Sequence, residues 1–260
     1  MSLSLIQKLN EMLLSEQPAY RAQAAKAGKD LAAQRDLLRA LMNVRPPHPL
    51  SEEFLRMQDA LLSAEREARG VVDVMTLPAI PSDARIVLWQ GDITRLNADG
   101  IVNAANSALL GCFIPCHRCI DNAIHSAAGL QLRAACAALM ERQGHPEPTG
   151  AAKITAGYNL PARHVLHTVG PIVSGALTEE HRQLLASCYR SCLALAAKNG
   201  LKSVAFCCIS TGEFHFPNAA AAEIAVREVR AFLAENTSVE RVVFNVFKDA
   251  DLHIYERLLL

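Results

Sequence analysis

Beyond Asp83 the chain alternates short apolar runs with longer stretches of helical periodicity, and this pattern constrains its fold more than any other feature. RIVLW (Arg85–Trp89), GIVNAA (Gly100–Ala105), AAKIT (Ala151–Thr155), HVLHTVG (His164–Gly170), SVAFCCIS (Ser203–Ser210) and RVVFNVF (Arg241–Phe247) read as strands. Helices are predicted near Asp121–Gln143, Glu179–Asn199 and Pro217–Glu235, with a last one from about Ala250 to Leu260. Strand–helix–strand units pack as parallel crossovers, so residues 83–260 are predicted to form an α/β sandwich with a mixed, largely parallel sheet. Ligands of such sheets bind outside the carboxyl ends of the strands, which directs attention to the loops after each strand.

Residues 1–76 have a different texture. Ile6, Leu9 and Leu13, then Leu31, Leu38 and Leu41, recur at helical spacing, and RPPHP (Arg45–Pro49) interrupts them. Ser51 is placed as an N-cap with Glu52 and Glu53 in the first turn, Phe54, Met57, Leu61 and Leu62 form an apolar stripe, and Gly70 suits a C-cap. An extension of two to four helices is predicted, joined through the turn-rich LPAIPSD (Leu77–Asp83), with packing support as its expected role.

Lys plus Arg number 26 and Asp plus Glu number 26, so no net field draws the chain to nucleic acid or an anionic membrane. No apolar run reaches the roughly 18 residues needed to span a bilayer, and MSLSLIQKLNEMLLSEQ lacks the marks of a signal peptide. A cytoplasmic, reducing location is expected, with no membrane or nucleic-acid partner. Cys136, Cys188, Cys192, Cys207 and Cys208 lie in apolar or helical patterns and read as small buried hydrophobes.

Three loops after strands carry unusual residues. In QGDIT, Asp92 follows a glycine at a strand end, where a carboxylate can accept from an exocyclic amine or simply cap a turn. In NAAN, Asn103 and Asn106 flank small residues that let a ligand approach the backbone. The same loop continues as GCFIPCHRCIDN (Gly111–Asn122), in which three cysteines and a histidine leave metal, disulfide and nucleophile chemistry open. ISTGEFHFPN (Ile209–Asn218) opens a turn at Gly212 and enters a helix at Pro217, a geometry whose amides can cradle phosphate. His164 and His167 read as structural, His125 as a capping or packing residue, and Glu213 as the nearest sequence candidate for a general base.

Together GDIT, NAAN, GYNLPARHVLHTVGP (Gly157–Pro171), the STG loop and the VVFNVFKDADLHIYERLL tail resemble a macrodomain, the ADP-ribose-binding fold, over about Asp83 to Leu260. The resemblance implies a three-layer α/β/α sandwich in which Asp92 pairs with the adenine amine beside Ile93, Asn106 holds the distal ribose, and Phe247 stacks on adenine. It implies that Ser210, Thr211, Gly212, Glu213, Phe214, His215 and Phe216 wrap the diphosphate and distal ribose, with His215 either touching the sugar or shaping the turn. Where many macrodomains have a glycine-rich loop after NAAN, this chain has GCFIPCHRCIDNAIH, which is similar to the zinc-dependent macrodomains, microbial protein-ADP-ribosyl hydrolases that also carry a helical extension. That class implies a Zn2+ site on Cys112, His117 and Cys119, with Asn106 completing the catalytic set, and leaves Cys116 as a bystander or alternative ligand. Asp121 or a backbone carbonyl is expected to hold the second imidazole nitrogen of His117.

The implied activity is zinc-dependent removal of mono-ADP-ribose from Asp or Glu side chains of a modified protein. An ADP-ribose reader with a structural zinc, a hydrolase of small derivatives such as O-acetyl-ADP-ribose, and an interaction protein docking through its helical part are the competing readings. Three ligands favour catalysis, whereas a fourth from Cys116 favours structure.

Overall fold

A computed structural model describes residues 2–260. The first helices are α1 (Leu3–Glu16), the single turn α2 (Arg21–Ala24), α3 (Leu31–Val44) and α4 (Glu52–Arg69). Asp30 caps α3 by accepting from the Ala33 amide, and Ser51 caps α4 by accepting from that of Phe54. Gly70 ends α4 at φ 76°, a left-handed backbone that favours glycine. Ile6, Leu9, Leu13, Leu38, Leu41, Phe54 and Leu61 meet in a core of their own, joined by Leu130 from the sandwich.

The remaining elements follow the alternation seen in the sequence. They are β1 (Val72–Asp73), β2 (Ile86–Gln90), β3 (Leu96–Asn97), β4 (Gly100–Ala105), α5 (Ile120–Ala128), α6 (Leu130–Gln143), β5 (Ala152–Ala156), β6 (His164–Val169), α7 (Glu179–Lys198), β7 (Ser203–Phe206), α8 (Asn218–Glu235), β8 (Arg241–Val246) and α9 (Asp249–Leu259). The main sheet has the order β2-β8-β7-β4-β6-β5, with every neighbouring pair parallel except the antiparallel edge pair β5–β6. Central strands such as β7 are buried along their whole length, as expected of a sheet covered by helices on both faces. The two-residue β1 pairs with β3, tying the end of α4 to the edge of the sandwich.

Two elements differ from the sequence prediction. The helix anticipated over Asp121–Gln143 is broken at Gly129, whose φ is 95°. The break is a tertiary effect: Gln58 of α4 accepts from the Leu130 amide with its Oε1 and so caps the new helix. The strand anticipated over Ser203–Ser210 ends at Phe206, leaving Cys207 and Cys208 just beyond it. None of the described helices is long and apolar enough to cross a membrane.

Candidate active site

The loops at the carboxyl ends of β2, β4, β7 and β8 surround a cleft of about 720 Å³, a size typical of small-molecule sites. Asp92, Ile93 and Phe247 line one end of it, Asn106, Cys112, His117 and Cys119 the other, and Ser210, Thr211, Gly212, Glu213 and Phe214 the side between. Cys207 and Cys208 reach its floor, a location that their apolar context in the sequence did not signal.

At the first end, Asp92 Oδ1 accepts from the Thr94 amide at 2.9 Å and the Thr94 hydroxyl at 2.7 Å, which fixes the carboxylate at the entrance of a short 3-10 turn. Arg69 of α4 lies 3.5 Å from Asp92 Oδ2. Phe247 is 74% exposed although it closes a buried strand, so its ring is an open platform at the cleft edge.

Along the side, Ser210 and His215 have φ values of 65° and 55°, a conformation that costs a residue with a Cβ. Gly170 makes room for this bend, because a Cβ there would fall 1.9 Å from Ser210 Oγ. The amides of Gly212, Glu213 and Phe214 carry no hydrogen bond among the described residues and lie in the turn that leads into α8. Such a turn is a ready anion cradle. His215 and Phe216, placed with this group from the resemblance, do not line the cleft. Phe216 is 1% exposed and belongs to the core, while His215 shapes the turn by donating its amide to Gly212 O.

The far end is built by the β4–α5 loop. Asn106 is locked by its own loop: its Oδ1 accepts from the Ala108 amide, and its Nδ2 donates to Gly111 O at 3.1 Å and Asp121 Oδ2 at 3.3 Å. Gly111 has φ 79° and packs so closely on His125 that a Cβ would lie 2.9 Å from that ring. The donor atoms of Cys112, His117 and Cys119 all lie within 4.8 Å of one another. Zinc bonds of about 2.0–2.3 Å space tetrahedral ligands about 3.3–3.8 Å apart, so this donor set and its spacing fit that metal. Cys112 Sγ is 3.6 Å from His117 Nδ1, and Cys119 Sγ accepts from the Asn122 amide at 3.4 Å at the start of α5. Burial pushes the Cys119 thiol up to about 12, the Asn122 amide opposes this, and the neighbouring Cys112 adds to the rise. A bound divalent cation would offset that rise by favouring the Cys119 thiolate.

Cys116 is not part of the cluster. Its Sγ points to Asp36 O at 3.5 Å, on α3. Asp121 corrects another expectation: it does not support His117. Its Oδ1 accepts from Asn103 Nδ2 at 2.8 Å and its Oδ2 from Asn106, so it orients the asparagines instead. His117 Nε2 faces Glu213 Oε1 at 3.7 Å. Burial raises the Asp121 carboxyl to about 6, moderated by the Asn103 bond and by Arg133. Asp121 therefore touches the cleft and holds Asn106, a different place in the site from the one beside His117 that the sequence reading gave it. Its spacing from Asn106 was the available signal.

Behind this wall, His125, Cys136 and His167 also bring their donor atoms together, fully buried. Asn103 Nδ2 can only donate, so His167 Nδ1 accepts it at 3.2 Å and Nε2 carries the proton toward Thr155 Oγ1 at 2.9 Å. Both nitrogens of His167 are thus occupied, whereas neither ring nitrogen of the buried His125 has a hydrogen-bond partner among the described residues.

The family model described as Macro domain matches residues 102–225, which hold most of this geometry. A protein-ADP-ribose hydrolase of Treponema medium is 52% identical over 253 residues, covering 96% of each chain. The chain belongs to the macro-domain family. A protein-ADP-ribose hydrolase of Staphylococcus aureus (strain MSSA476) is 52% identical over 222 residues, covering 85% of this macrodomain and 83% of its own length. Among solved structures, the Trypanosoma brucei macrodomain in complex with ADP-ribose superposes with a TM-score of 0.67 at 34% identity, covering 85% of this chain and 95% of its own. The helical extension of this macrodomain lies within the alignment to the Treponema relative, which spans nearly the whole chain.

Proposed function

We propose that this macrodomain is a hydrolase that removes ADP-ribose from modified proteins, that the bond it cuts is the ester to an Asp or Glu side chain, and that it depends on zinc. The similarity to two protein-ADP-ribose hydrolases supports the reaction class. The observation that carries the zinc reading is the trio Cys112, His117 and Cys119 in the cleft wall, with Cys116 turned away toward α3. Three protein ligands beside a cleft are the pattern of a catalytic site, whereas structural zinc takes four.

In this reading Asp92 accepts from the adenine amine while Phe247 stacks on the base. The free amides of Gly212, Glu213 and Phe214 hold the diphosphate without a basic side chain. Asn106, held by Asp121 and Gly111, orients the distal ribose so that its anomeric side faces the cysteine–histidine trio. Glu213 steadies the His117 ring from the opposite loop. Zinc on Cys112, His117 and Cys119 supplies Lewis acidity toward an oxygen of the substrate or of water.

The test is direct. Bound metal is measured in the purified protein, and release of ADP-ribose from Asp/Glu-modified protein is followed with and without chelator and for His117→Ala. About one zinc per chain is expected, with activity lost on chelation and at least 100-fold lower in the variant. Turnover that survives complete removal of metal would exclude the zinc dependence; zinc without turnover of the ester would favour a binding module.

A further inference from the structure

We propose that Arg39, on helix α3 of the extension, is a positioning residue of the metal loop and holds His117 and Cys119 in ligating register. The proposal rests on the zinc reading above and adds a role for a residue that touches neither cleft nor donor atom.

The loop has little to hold it from within. Phe113 is 40% and Ile114 58% exposed, and the single backbone bond across its tip runs from the His117 amide to Ile114 O at 3.2 Å. Cys116 sits at φ 53°, a conformation unfavourable to a residue with a Cβ. Something outside the loop must fix it.

Helix α3 does so at several points. Arg39 Nη2 donates to the His117 carbonyl at 3.1 Å and to Asn122 Oδ1 at 2.8 Å, and Arg39 Nε reaches the same Oδ1 at 3.2 Å. Asn122 is fully buried. Its amide N–H donates to Cys119 Sγ, and its Nδ2 donates to Ile114 O at 3.0 Å. One guanidinium therefore grips the main chain of one ligand and, through Asn122, the residue that caps the sulfur of another. Asn43, one turn further along α3, accepts from the Cys116 amide at 2.9 Å and donates to Ser126 Oγ at 3.1 Å, which pins the strained residue between the ligands. The forked geometry matters, because a lysine offers a point charge that cannot serve both oxygens in the same way.

Arg35 supplies the control. It lies one turn earlier on α3 and pairs with Glu65 of α4 at 2.5 and 2.8 Å, wholly within the extension. Its loss weakens the helical packing without touching the loop.

The experiment compares wild type, Arg39→Ala, Arg39→Lys and Arg35→Ala as full-length proteins, reading zinc content, zinc affinity by competition with a chelator, thermal midpoint, and ADP-ribose affinity of the metal-free form. Zinc affinity is expected to fall about 10- to 100-fold in Arg39→Ala, as for partners that orient metal ligands, and to recover only in part in Arg39→Lys. Arg35→Ala should lower the thermal midpoint yet keep wild-type zinc affinity. ADP-ribose affinity without metal should be the same in wild type and Arg39→Ala. Wild-type zinc affinity in Arg39→Ala would overturn the proposal while leaving the zinc reading intact. An equal loss in Arg35→Ala would overturn it as well, by tracing the effect to stability. A wild-type protein that binds no zinc would overturn both.

Discussion

His167 lies wholly buried between Asn103, Thr155 and Cys136, and burial pulls its imidazole down to about 4 from an unfolded value near 6.5. Between these values the unfolded chain takes up a proton that the native one refuses, so stability is lost as pH falls from about 6.5 to 4. His125 is lowered too and adds to the loss, whereas Asp121, raised to about 6, binds its proton first in the native state and opposes it. Two histidines outweigh one carboxyl. Urea midpoints measured in chelator, so that metal release does not enter, should fall from pH 7 to pH 4.5, and His167→Gln should flatten that slope. At the other end of the cleft, Phe247→Ala removes an exposed ring, so the thermal midpoint should hardly move. ADP-ribose affinity should weaken by about 1–3 kcal/mol, the worth of stacking a base on an aromatic side chain, as calorimetry would read. These residues differed in how far the sequence disclosed them. The cysteines and histidine of the β4–α5 loop announce themselves by density. Asp121 does not, since one aspartate looks like another until Asn103 and Asn106 close over it. Phe216 carries the same letter as a cleft residue but turns inward, because the loop reverses between Ser210 and His215.

Among the elements, α6 shows how the two parts of the chain are fastened. Arg133 is 2% exposed and donates to Leu110 O at 2.7 Å, Met42 O at 2.9 Å and Arg45 O at 2.6 Å. It thus joins the end of α3 to the start of the β4–α5 loop, and its guanidinium lies 4.3 Å from the centroid of the Phe113 ring. Arg133→Ala leaves three carbonyls without that donor and should cost about 3 kcal/mol or more, at about 1–3 kcal/mol for each unsatisfied buried group. A shift in the urea midpoint measures it, and Arg133→Lys should restore only a fraction. The strands and long helices were legible because their periodicity is local. The break at Gly129 was not: apolar spacing runs through it, and what starts α6 afresh is a glutamine 72 residues before Leu130 that caps the Leu130 amide.

Across the whole molecule the extension touches the sandwich at both ends of the cleft. Arg69 reaches Asp92 and Thr94, Arg66 donates to Asn159 O, Gln58 caps α6, Arg39 donates to Asn122, and Asn43 accepts from the Cys116 amide of the β4–α5 loop. Contacts so distributed predict one cooperative transition. Scanning calorimetry should give equal calorimetric and van't Hoff enthalpies, whereas two separate domains would give a calorimetric excess. The strand order carries a further consequence, for synthesis on the ribosome. Strand β8 lies between β2 and β7, yet it is the last strand to be made. Until Arg241–Val246 emerges, β2 has no neighbour in the main sheet and β7 presents an open edge, both apolar. The sheet is closed by its final strand like an arch by its keystone. The nascent chain therefore carries an unpaired β2 from Gln90 onward and, after Phe206, an open β7 edge as well, and newly made protein is most exposed to aggregation just before β8 arrives.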